Sequence, residues 1–166
     1  MTISMYQASV PVFLKMLDNL TVFLDKGEAF AAAKKIDPPV LLGYRLVPDM
    51  LNLTRQVQIA SDHAKRATAR LAGIEPPVYE DNEVSFADLR ARIAKTVAFV
   101  KSVKPEQIDG SEDREIKLKV GGNDKTFTGQ TYLLLNALPN FFFHTTTAYA
   151  ILRHCGVDVG KKDFIG

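Results

Sequence analysis

NFFFHTTTAYAILRHCGV, residues 140–157, is the stretch whose reading decides the architecture. With the apolar run before it, it sets Leu133, Ala137, Asn140, His144, Ala148, Ile151 and Cys155 at steps of three or four, one stripe of a helix. Leu, Ala and Ile on such a stripe face a core, so Asn140 and His144, one turn apart, point inward with them. A buried amide or imidazole left without a partner costs about 1–3 kcal/mol. The partner is either a metal ion or bound ligand, or other side chains and water. Pro139 kinks or restarts the helix just ahead of Asn140. Phe141, Phe142 and Phe143 cannot share one core, so at least one reaches a pocket wall or a second copy of the chain, and a homodimer is expected. Gly156 ends the helix behind Arg153 and His154, and the tail VDVGKKDFIG reads as turn.

Upstream, three further amphipathic segments are visible. From Ser4 to Lys26, Tyr6, Val10, Phe13, Leu17, Leu20 and Leu24 form one face. Pro11 either kinks that helix or stands in the first turn of one capped by Ser9; the unbroken stripe favours a long kinked helix. Gly27 ends it, residues 28–36 form a short helix, and Asp37-Pro38-Pro39 stops that. A second long helix opens near Pro48-Asp49 and runs to Leu71 or Ala72, with Gly73 behind it. Its stripe is Met50, Leu53, Val57, Ala60, Ala64, Ala67 and Leu71, with His63 at the edge and Asp62, Lys65, Arg66 and Arg70 on the other side. A third helix begins at Ser85, with Asp88 three residues on, and ends at Pro105. Arg90, Arg92, Lys95 and Lys101 coat its outside. Between it and the last helix, the alternation in EIKLKV, a Gly-Gly-Asn-Asp turn and KTFT spell a β-hairpin. Two strands are marginal alone, so the hairpin leans on the bundle or on a second subunit.

Composition bounds the function. At 166 residues the chain is read as one domain, residues 1–166, able to bury a sizeable core. A net charge of +2, with basic residues interspersed among acids and no Trp, argues against nucleic acid as partner. One cysteine excludes an internal disulfide framework and a cysteine-cluster zinc site. Lys15, Asp18 and Asn19 interrupt the N-terminal apolar stretch, which reads as neither signal peptide nor membrane span, and a cytoplasmic location is expected.

Four amphipathic helices and one hairpin before the last of them make an all-α four-helix bundle. In that frame N-x3-H-TTTAYAILRHCGV resembles the last-helix pattern of the DinB/YfiT-like superfamily, where H-x3-H is followed by an arm ending in Leu-Arg and Gly. The ending is similar to a branch known only as a domain of unknown function. The resemblance implies three core histidines holding a divalent metal, one on the second helix and two on the last. His63 and His144 match two of them, and Asn140 stands where the third would be. An amide oxygen is a poorer donor for zinc or nickel than imidazole, so the metal is expected to be weak or absent. The resemblance implies either a metal-dependent thiol transferase or hydrolase, or a non-catalytic bundle that binds a small molecule or partner.

Overall fold

The computed structural model describes residues 3–166, apart from the side chain of Val120. Helix α1 spans Val10–Lys34, with Ser9 at its N-cap and Pro11 in the first turn. The shorter of the two readings of Pro11 therefore holds, and residues 5–9 form a turn ahead of the helix. Ser9 turns its hydroxyl back to the Met5 carbonyl at 2.6 Å. Gly27 does not end the helix. It is buried where α1 meets its neighbours: a Cβ there would lie 3.0 Å from Leu152 Cδ2 and 3.2 Å from Phe86 Cε1. Its role is close approach, and the Ala-rich residues beyond it continue the helix. Termination comes at Lys35, in the left-handed region at φ 55°, just before Asp37-Pro38. The short helix α2, Pro38–Leu42, follows, between that stop and the next long helix.

Helix α3 spans Leu53–Ala72. Its cap is Asn52, whose side chain accepts from Arg55 N at 3.0 Å, four residues beyond the expected start near Pro48. Gly73, at φ 69°, closes it as the sequence predicts. Helix α4, Phe86–Ser102, opens with the expected capping box between Ser85 and Asp88. A short α5, Pro105–Ile108, follows. Strands β1, Ile116–Val120, and β2, Asn123–Phe127, pair antiparallel, Ile116 opposite Phe127 and Val120 opposite Asn123. The turn is Gly121-Gly122 alone, both with positive φ, so Asn123 and Asp124 belong to the second strand. Leu118 and Phe127 pack on the bundle.

The last helical region starts with α6, Gly129–Tyr132, passes through a wider π-helical turn over Leu133–Ala137, and continues as α7, Leu138–His154. Pro139 has no N–H for the Leu135 carbonyl, and the Leu138 N–H bonds the Leu133 carbonyl five residues back. The wider turn takes up one extra residue, so the core face runs Leu133, Ala137, Phe141, Thr145, Ala148 and Leu152. Asn140 and His144 are therefore only partly buried, at the edge of the face on which an uninterrupted helix would centre them. The tail is not a simple turn. Helix α8, Lys161–Ile165, folds back on α1: the Asn19 amide donates to the Phe164 carbonyl at 2.8 Å, and Lys26 pairs with Asp163 at 2.8 Å.

Helix α1 packs against α4 and α7, and α3 packs against the same two, so the four long helices run α1, α4, α3, α7 around one core. Phe13 and Phe141 meet edge to face at 5.0 Å across the α1–α7 seam. The chain is an all-α bundle with a hairpin before its last long helix. Among the described residues no helix is long and apolar enough to cross a membrane.

Candidate functional site between α3 and α7

Two imidazoles from distant parts of the chain meet at the α3–α7 interface. The ring centroids of His63 and His144 are 5.7 Å apart, with planes inclined by 16°. Burial is the main cause that pushes the pKa of His63 from the usual 6.5 down to about 4, with nearby His144, Arg66 and Arg70 adding to it and Asp62 opposing. Burial lowers His144 as well. Both rings are therefore neutral near pH 7, each with a lone pair to offer.

One of those lone pairs is assigned by the neighbours. His144 Nδ1 lies 2.7 Å from Gln56 Oε1, and Gln56 Nε2 donates to the Leu51 carbonyl at 3.0 Å. The bond to Leu51 fixes which end of the amide faces His144, so Nδ1 carries the proton and Nε2 holds the free pair. Gln56 was not singled out in the sequence, yet 56, 63 and 70 are spaced by seven and fall on one line along α3. That spacing was the available signal.

Asn140 does not hydrogen-bond to either imidazole. Its amide nitrogen donates to the Asn136 carbonyl of the preceding turn at 2.7 Å. His154 lies outside the site, against Tyr44.

Asp62, beside His63, is held on three sides: Lys65 at 2.8 Å, Arg66 at 2.8 Å and Arg92 at 2.9 Å. Arg92 also pairs with Asp81 at 3.0 Å and Glu83 at 2.9 Å, which pins the connection between α3 and α4 over the helices. Lys65 and Arg92, both read as outward-facing, are 1% and 4% exposed. Their apolar stems suit burial, and Tyr79 covers Lys65 with its ring 3.8 Å from the ammonium. A cavity of about 400 Å³ opens beside His63 between α3 and the hairpin, with Arg66, Arg70, Lys117 and Lys119 among its walls.

With this geometry in view, the sequence matches the family described as "Domain of unknown function (DUF1993)" over residues 5–165. The chain belongs to that family. No curated protein matches it. Among solved structures, the DUF1993 chain is similar to the crystal structure of a DinB family member protein from Shewanella denitrificans, at 44% identity and a TM-score of 0.88. The alignment covers 97% of this chain and 91% of the other. The fold is thus DinB-like.

Whether such a chain suits a resident metal is decided by its donors. Two neutral imidazoles are present, but no three His, Cys, Asp or Glu side chains among the described residues are grouped to hold an ion. The nearest carboxylate, Asp62, is already held by three cations. Arg66 and Arg70 add positive charge close to His63. This set does not fit a tightly held divalent ion.

Proposed function

We propose that this DUF1993 protein is a small-molecule-binding bundle whose ligand docks against the His63–His144 pair, with any divalent metal bound weakly and exchangeably. The single observation that carries this reading is the meeting of two neutral imidazoles, 5.7 Å apart, next to a cavity. A pair of neutral rings has both donors and acceptors to offer an incoming polar group.

A second reading is a metal-dependent enzyme of the thiol-transferase or hydrolase kind, with His63, His144 and Asn140 as ligands. One observation favours it: a His whose Nδ1–H is fixed by a partner, as Gln56 fixes His144, presents Nε2 as metal ligands commonly do. Metal analysis of untagged protein separates the two. The binding reading expects less than stoichiometric zinc or nickel and a melting temperature unchanged by chelator. Stoichiometric metal that disappears in His144→Ala overturns it in favour of the enzyme.

We also propose that the chain forms a homodimer in the cytoplasm. Phe143 is 54% exposed and borders an apolar groove with Leu46 and Met50. Light scattering that gives a monomer at high concentration removes the dimer.

A further inference from the structure

The walls of the cavity beside His63 carry an uneven balance of charge. Five cationic side chains line it, Arg55, Arg66, Arg70, Lys117 and Lys119, against the carboxylates Asp62 and Asp81. Those two carboxylates are already engaged. Arg92 reaches both, at 2.9 Å and 3.0 Å, while Arg55 adds a second pair to Asp81. Among the described residues Arg70 donates only to a neutral group, the Tyr132 hydroxyl at 2.9 Å, and stacks near the same ring. Lys119, exposed on β1, makes no ion pair or side-chain hydrogen bond to another described residue. The chain as a whole carries a formal charge of only +2, so this excess of cations is a local feature.

Resting on the reading of the His63–His144 pair as a ligand site, we infer that the cavity takes a small organic anion with at least two negative charges, a dicarboxylate or a phosphate monoester. The arginines of α3 supply forked donors that match carboxylate and phosphate oxygens. Lys117 is paired with Glu115 at 2.7 Å, so the hairpin supplies the point charge of Lys119 from the opposite wall, which gives it a role in binding: it closes the cation ring that α3 opens. Neutral His63, which lines the cavity and meets the ring of His144, is left to hydrogen-bond the uncharged part of the ligand. Concentrated positive charge in a concave wall also steers anions inward, with the salt sensitivity such attraction carries.

The test uses the imidazole NMR resonances of His63 and His144 in the full chain. Malonate, inorganic phosphate and the neutral isostere malonamide are titrated at fixed ionic strength, pH 7.5. The expected result is a saturable shift of the His63 resonance with malonate or phosphate and none with malonamide. Which anion binds tighter tells carboxylate from phosphate. Affinity should weaken about tenfold in Arg70→Gln and in Lys119→Gln, the scale of one lost charge-assisted contact. Lys119 is exposed, so its variant keeps the test readable if Arg70→Gln fails to fold. Anions that give no saturable shift, or that bind equally well to both variants, overturn the inference. If malonamide shifts the imidazoles as well as malonate does, the charge class falls while the ligand site stands. If no probe of either kind moves them, both readings fall.

Discussion

Arg92 Nη2 and Asp62 Oδ1 meet at 2.9 Å between α4 and α3, one residue before His63. With Asp81 and Glu83 on the same guanidinium, the contact ties both helices and their connection into one buried network. Arg92→Leu leaves the largely buried Glu83 carboxylate without a cation and takes one partner each from Asp62, which keeps Lys65 and Arg66, and Asp81, which keeps Arg55, a loss of about 3 kcal/mol. Urea unfolding checks this against the exposed control Lys101→Ala on the same helix, expected within about 0.5 kcal/mol of the parent. A loss below 1 kcal/mol would show that the network contributes little.

Acid should weaken the fold through His63. Its folded pKa of about 4 lies below its unfolded value near 6.5. Between those values the unfolded chain binds more protons, so stability rises with pH and is lost on acidification from about 6.5 toward 4. The contribution is at most about 3–4 kcal/mol for this group, with His144 acting in the same direction. Unfolding midpoints measured from pH 7.5 to 4.5 should fall, and fall less in His63→Gln. Parallel profiles for the two proteins would rule His63 out as the cause.

Much of this fold is written locally. The Ser85–Asp88 box, the stop at Gly73 and the alternation in β1 each depend on chemistry within a few residues. The meeting of His63 with His144 is legible too, because both sit on or beside apolar stripes that share a core. What short-range patterns cannot carry is a residue's partner across the bundle. Arg92 and Lys65 read as surface residues until Asp62, Asp81 and Tyr79 are brought to them. Gly27 reads as a helix stop until Leu152 and Phe86 arrive beside it.

Two glycines should respond differently to the same substitution. At Gly27 a methyl group meets side-chain atoms of the buried Leu152 and Phe86 at 3.0–3.2 Å, and the gain in helix propensity, about 1 kcal/mol, offsets part of the crowding. At Gly129 a Cβ would fall 1.9 Å from the Ser111 carbonyl oxygen, which is backbone. Gly129→Ala should therefore cost more than Gly27→Ala, by about 1–3 kcal/mol, on the scale of an overpacked core. Thermal unfolding of both variants decides it, and equal losses would contradict the close approach at Gly129.

Asn140→His would put imidazoles four residues apart on α7, a spacing that lets two side chains on one helix share an ion. Calorimetry should find zinc affinity at least about tenfold above that of the parent chain, a gain of 1.4 kcal/mol or more. No gain would mean that position 140, displaced by the wider turn before it, no longer looks toward His144.

That turn sets the azimuth of everything after it. Each residue of an α-helix advances about 100° around the axis, so excising one residue from Leu133–Ala137 would re-clock the whole of α7. Phe141 would swing off Phe13, and the imidazole of His144 would leave Gln56 behind. A gap of a single position within this pentapeptide is therefore a sharper warning that a homologue has abandoned the α3–α7 contact than several substitutions elsewhere in the helix.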